Sequence, residues 1–213
     1  MNVKQNRAIT CCSRKRLVGR SWLLFLAGLV LLAVTEAQAE KTVLAGGCFW
    51  CVESDFEKLK GVTKAVSGFT GGTLENPTYN GNHQGHYEAV EITYDPDVVT
   101  YKELLAHFWV NIDPFDAEGQ FCDKGFSYLS AIFVANENER KIAEETRAGV
   151  EARFPDRRVV TPILPASTFY PIRGDEIYHQ DFYKKSPVRY KVYRWRCGRD
   201  QRLKEIWGDD ATH

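Results

Sequence analysis

From residue 40 onward the chain alternates short apolar runs with polar, turn-rich stretches. Residues 42–45 read as a strand that runs into Gly46-Gly47. Phe49, Val52, Phe56 and Leu59 then recur at helical spacing and mark an amphipathic helix. Residues 62–69 form the next strand, followed by a loop to Gly85 punctuated by Gly71-Gly72 and Asn76-Pro77. Residues 87–94 alternate as a strand closed by Asp95-Pro96. Thr100 and Glu103 give a capping-box pattern for a helix carrying Leu104, Leu105, Phe108 and Trp109. A second loop covers 113–127, and the apolar run 129–135 is short enough for a buried strand. Asn136 and Glu139 cap a helix whose inner face holds Ile142, Val150 and Phe154. Residues 159–164 are the last strand. The tail, 179–208, is rich in Tyr, Arg and Trp and reads as irregular cover for the core. The order β-α-β-β-α-β-α-β predicts an α+β fold, a split β-α-β (ferredoxin-like) sheet with helices packed on it.

The first 39 residues follow another pattern. Six basic residues, Lys4 to Arg20, precede a thirteen-residue apolar run at 22–34 and then Ala37-Gln38-Ala39. The run is short for a bilayer span. The order is that of a secretory leader cleaved after Ala39, leaving one domain at 40–213 in an extracytoplasmic, periplasmic compartment. An uncleaved N-terminal anchor facing the same compartment is the alternative. Without the leader, 22 Lys+Arg stand against 27 Asp+Glu, a formal charge of −5. No basic patch argues for nucleic acid, and no histidine spacing suits a metal. No cofactor is expected, and the expected form is a monomer. The remaining chain has no methionine, Met1 being in the leader, which suits a protein that works under oxidising conditions.

Four cysteines remain, Cys48, Cys51, Cys122 and Cys197. Cys48 stands where a strand passes through Gly46-Gly47 into a helix. Free N–H groups and the positive end of the helix macrodipole favour a thiolate there, and the thiolate is the nucleophile. Phe49 and Trp50 lie between Cys48 and Cys51 as if walling an apolar pocket. In the alternating strand, Glu88 shares a face with Val90, Ile92 and Tyr94. Desolvation on that face favours a neutral carboxyl, which a proton donor near neutral pH requires. Two other readings stay open at this point. One is a thiol–disulfide exchange protein using Cys48 and Cys51, and the other is a disulfide-stapled binding domain.

Gly47-Cys48-Phe49-Trp50, Asn76-Pro77-Thr78-Tyr79, Gly85-His86-Tyr87-Glu88 and Asp123-x-Gly125-x-x-Tyr128 together resemble the A-type methionine sulfoxide reductases over residues 41–208. The resemblance implies an oxidoreductase that reduces the S epimer of free and protein-bound methionine sulfoxide. It implies that Cys48 attacks the sulfoxide sulfur and ends as a sulfenic acid. Glu88 would protonate the sulfoxide oxygen with help from the hydroxyls of Tyr79 and Tyr128. Phe49 and Trp50 would hold the substrate methyl group, and Asp123 would anchor the substrate backbone or a water. A thioredoxin-like partner would supply electrons. The chain departs from the family in carrying Cys51 where many members have glycine. The resolving thiol is therefore Cys51, Cys197 or Cys122. Cys197, near the C-terminus beside the mobile joint Gly198, is favoured because a helix-bound Cys51 is expected to reach Cys48 poorly.

Overall fold

The computed structural model describes residues 38–211. The leader and its proposed cleavage lie largely outside the described residues. Along the chain, β1 (Glu40–Gly46) leads into α1 (Phe49–Phe56), β2 (Val62–Thr70), β3 (Tyr87–Tyr94) and α2 (Tyr101–Trp109). A two-residue hairpin, β4 (Gly119–Gln120) and β5 (Asp123–Lys124), precedes β6 (Ser130–Val134), α3 (Glu137–Arg153), β7 (Ile163–Pro165) and β8 (Tyr170–Pro171). Three helices end the chain, α4 (Phe182–Lys185), α5 (Pro187–Arg196) and α6 (Arg199–Trp207).

Six strands form one sheet in the order β7-β6-β1-β3-β2-β8. Its four central strands, β6-β1-β3-β2, are antiparallel neighbours, while β7 lies parallel to β6. With α1 and α2 as the crossovers this is the split β-α-β core that the sequence predicts. Strand alternation divides the apolar residues between two faces. Leu44, Val90, Ile92 and Ile132 meet Val52 and Phe56 of α1, Leu104, Leu105 and Phe108 of α2, and Leu203 of α6. Ala45, Tyr87, Ala89, Ala131 and Phe133 make a smaller cluster from the alternate positions. The capping box of α2 is present in both halves, Thr100 accepting from the Glu103 N–H and Glu103 accepting from the Thr100 N–H.

The tail departs from the irregular cover expected of it, because its helices bury guanidinium groups as well as apolar ones and so hide their period. Arg194 in α5 donates to Asp55 of α1 at 2.8 Å, and Arg199 at the start of α6 donates to the Asn111 carbonyl at 2.7 Å. Breaks at Ser186-Pro187 and at left-handed Gly198 keep each helix short. The strand read at 159–164 begins only at Ile163, after Pro162, which has no N–H to give a ladder, and it is not the last, since β8 follows it. The stretch 113–127 is not wholly loop, since the β4–β5 hairpin orders its centre.

The joint between β1 and α1 depends on one glycine. Gly47 has φ +83°, and a Cβ there would lie 2.5 Å from the Gln120 Cβ. Gly149 sits mid-helix in α3 with nothing within 4 Å of such a Cβ. Alanine should therefore act oppositely at the two sites. Gly47→Ala should destabilise by at least about 1–3 kcal/mol, and Gly149→Ala should stabilise by about 0.4–1 kcal/mol. Denaturant unfolding of the two variants checks this, and equal shifts would contradict the assigned role of Gly47.

Candidate active site

Cys48 is the N-cap residue of α1, and its carbonyl accepts from the N–H groups of Cys51 at 3.0 Å and Val52 at 3.4 Å. The next N–H, on Phe49, donates to Glu88 Oε2 at 3.1 Å. The exposed first-turn donors of α1 therefore hold the β3 carboxyl beside the Cys48 thiol. Glu88 is 1% exposed, and its Oε1 has no partner among the described residues. Burial pushes its pKa up to about 8, against the lowering effect of the Phe49 N–H. It is thus a neutral carboxyl at pH 7, with one oxygen fixed by the helix and the other free to present a proton.

The two thiols of the helix start lie together. Cys48 is 6% exposed and Cys51 2%, and the two thiols lie close enough to perturb each other's ionisation. Burial raises Cys48 well above the ordinary thiol value, and the contacts with Cys51 and Glu88 add to the rise. Cys51 falls to about 7, held there first by Cys48 and then by the Arg199 and Arg194 guanidinium groups. The Arg199 and Arg194 guanidinium groups favour ionisation on the Cys51 side, while burial and Glu88 oppose it at Cys48.

Tyr79 and Tyr128 are half-buried, and both feel Glu88 and Cys48 electrostatically, which puts their hydroxyls at the same site. Burial raises Tyr79 to about 12 and raises Tyr128 as well, so both remain hydrogen-bond donors at any physiological pH. Phe49 is fully buried and backs the site, packing on Phe69, Tyr79 and His179. Trp50 is partly exposed and stacks on Phe182 with ring centroids 4.0 Å apart. Its Nε1–H donates to His179 Nδ1 at 3.0 Å. His179 is therefore more than a packing residue. It fixes the Trp50 wall and lies 3.9 Å, centroid to centroid, from Tyr79.

Asp123 is at the edge of this group, on the β4–β5 hairpin. Its Oδ2 accepts from the Tyr193 hydroxyl and lies 3.9 Å from the Cys197 sulfur. Tyr193 also lies near Cys48 and lowers its pKa slightly. Cys197 is joined to Cys122 by a disulfide, whereas Cys48 and Cys51 are free thiols. The sequence reading missed Tyr193, Arg194 and Arg199. They belong to the tail, and no motif spacing links them to the first turn 140 or more residues earlier.

The arrangement offers a nucleophilic sulfur, a neutral acid, two phenol donors and an aromatic wall around one small volume. The model of a protein family described as peptide methionine sulfoxide reductase matches residues 40–211. The chain is 46% identical over 194 residues to peptide methionine sulfoxide reductase MsrA 2 of Caulobacter vibrioides, covering 87% of this chain and 97% of that one. It is 48% identical over 174 residues to the MsrA of Bacillus licheniformis, covering 79% and 94%. Among solved structures it superposes on methionine sulfoxide reductase A of Corynebacterium diphtheriae with a TM-score of 0.62, at 32% identity and covering 72% and 78%. With its fold, its cysteine-centred site and these relatives in agreement, the chain belongs to the peptide methionine sulfoxide reductase family and is an oxidoreductase acting on methionine sulfoxide.

Proposed function

We propose that the protein reduces the S epimer of methionine sulfoxide, free or within oxidised proteins, at Cys48. The observation that carries this reading is the free, buried Glu88 Oε1 beside the Cys48 thiol. A sulfoxide oxygen leaves sulfur only when protonated, and a carboxyl that stays neutral up to about pH 8 supplies that proton. Tyr79 and Tyr128 add hydrogen bonds to the same oxygen, where charge develops during the reaction. Trp50, backed by Phe49, holds the substrate methyl group, and Asp123 with Tyr193 faces its polar backbone.

The proton of Cys48 passes to Cys51 as Cys48 attacks the sulfoxide sulfur. The closeness of the two thiols, and the low pKa of Cys51, support this assignment. In balance, the sulfoxide and the Cys48 thiol give the thioether and a Cys48 sulfenic acid, so the substrate sulfur gains the two electrons that Cys48 loses. Cys51 is the adjacent thiol and condenses with the sulfenic acid, releasing water and forming a Cys48–Cys51 disulfide. In this reading Cys51, rather than Cys197, condenses with the sulfenic acid, and the Cys122–Cys197 disulfide supports that choice. A thioredoxin-like dithiol protein returns the electrons. The active form in this reading is a monomer.

The acid and the base set opposite pH limits. Cys51 must be ionised, which fails as pH falls below about 7, and Glu88 must be protonated, which fails as pH rises above about 8. Single-turnover reduction of the S-sulfoxide should therefore peak between these values, the limbs belonging to the coupled group. Glu88→Gln should lower the maximum by roughly a hundredfold and remove the falling limb, and Cys51→Ser should remove the rising one. A falling limb that persists in Glu88→Gln would show that the proton comes from elsewhere.

Export belongs to the same reading. The basic, apolar and Ala37-Gln38-Ala39 order of residues 1–39 supports a cleaved leader and a periplasmic enzyme. The described residues contain no helix long and apolar enough to cross a membrane. Intact-mass measurement of protein from its native envelope should give a chain beginning at Glu40. A mass that includes residues 1–39 would favour an anchored enzyme instead.

A further inference from the structure

Most groups of the site are placed by regular structure. The start of α1 places Cys48, Phe49 and Trp50, β3 places Glu88, and a 3-10 turn (Phe126–Tyr128) places Tyr128. Tyr79 has no such frame. It lies in the connection between β2 and β3, residues 71–86, which holds no strand or helix. Its hydroxyl makes no hydrogen bond among the described residues that would aim it. A donor to a reacting oxygen must sit within about 0.5 Å of its productive place. The loop therefore needs an anchor from outside itself.

Glu176 provides one. It stands in a short 3-10 helix of the tail, Gly174–His179, and is 6% exposed. Its two oxygens accept from two successive backbone N–H groups of the loop, Oε2 from Tyr79 at 2.8 Å and Oε1 from Asn80 at 2.7 Å. Bonds to a carboxylate are roughly twice as strong as neutral ones. The same 3-10 helix ends in His179, whose ring lies against the Tyr79 ring, and Phe49 packs on that ring with centroids 5.9 Å apart. One turn of the tail thus grips Tyr79 at its backbone and at its ring. The other tail contact of the loop, Arg173 Nη2 to Asn76 Oδ1 at 2.7 Å, is exposed and lies away from Tyr79. Bonds within the loop, such as the Thr78 N–H to the Asn82 carbonyl at 3.0 Å, shape it without fixing it to the site.

We propose that Glu176 is a positioning residue for the reduction step, its carboxylate clasping the Tyr79–Asn80 backbone so that the Tyr79 phenol is aimed at the sulfoxide oxygen. The proposal rests on the reading that Tyr79 donates to that oxygen beside Glu88. Glu176 itself meets no reacting atom, because both of its oxygens are taken by backbone donors. Its action is carried wholly through the residue it holds. Glutamine at this position keeps the volume of the side chain and one acceptor oxygen, but turns an NH2 group toward the second backbone N–H. One half of the clasp is then lost, and the phenol is freed to wander while the sheet and α1 keep their packing.

Tyr128 offers a second phenol to the same oxygen, so the clasp is tested in Tyr128→Phe, where Tyr79 is the phenol that remains at the site. There Glu176→Gln should slow single-turnover reduction of methionine S-sulfoxide by about tenfold or more, as expected for a misplaced donor. In Tyr79→Phe/Tyr128→Phe the same change should alter the rate by less than about twofold, because no hydroxyl is left to aim. Amide hydrogen exchange, read by NMR, should quicken at Tyr79 and Asn80 in Glu176→Gln while the central strands keep their protection. Equal losses in both backgrounds would make Glu176 a general prop of the fold and overturn the proposal. Unchanged exchange at Tyr79 and Asn80, or no loss of rate in Tyr128→Phe, would overturn it as well. Failure of the underlying reading would look different. Tyr128→Phe and Tyr79→Phe/Tyr128→Phe would then reduce the sulfoxide equally fast, which would remove the role of Tyr79 and the aiming with it.

Discussion

The site depends on how the first turn of α1 is seated on β3. A helix start leaves backbone N–H groups without helical partners, and here the Phe49 N–H finds its acceptor in Glu88. That one bond fixes the carboxyl beside Cys48, keeps one of its oxygens engaged and leaves the other free in a dry environment. A buried carboxyl without such a donor would be costly to hold in a single place. A helix start without the carboxyl would favour an unprotonated, solvated thiolate. Together they hold a neutral acid beside the Cys48 thiol, with Cys51 next to it.

The seating in turn rests on the tail. Asp55 on α1 receives Arg194 from α5 at 2.8 Å and has Arg199 from α6 at 3.7 Å. Glu53, one turn into α1, accepts from Gln180 Nε2 and from the Asp181 N–H. Removing a partner from the buried Asp55–Arg194 pair would leave the other's charge less compensated, which costs more than the intact pair contributes. The segments that lock α1 also supply His179, Tyr193 and the two cations that favour ionisation at Cys51. Folding of the tail and assembly of the site are therefore the same event, and the low-dielectric surroundings that the tail creates sharpen every electrostatic effect inside.

Much of this was legible in the chain and some was not. The sheet core was, because β3 alternates, β1 and β6 are short apolar runs and α2 carries a full capping box. Glu88 was legible for the same reason, a carboxylate on the apolar side of a strand. The tail was not. Its helices turn Tyr190 and Arg194 inward, and a buried arginine looks on paper like a solvated one until its acidic partner, 139 residues away, is known. The pairing of Cys122 with Cys197 was illegible too, because no pattern links a cysteine in a β-hairpin to one capping a distant helix. The electrostatics of the thiol pair were also illegible, because burial at Cys48 and guanidinium charge near Cys51 are tertiary facts that the helix-end argument does not weigh.

The central claim is that the sulfoxide reacts at Cys48, and trapping the oxidised sulfur tests it most directly. Cys51→Ser/Cys122→Ser/Cys197→Ser leaves Cys48 as the one thiol of the described residues, with nothing to condense with its sulfenic acid. Treated with methionine S-sulfoxide and then with dimedone, this protein should carry the dimedone adduct on Cys48 in an amount equal to the methionine released, as peptide mass spectrometry would read. Methionine formed without an adduct on Cys48, or with the adduct on another residue, would contradict the account.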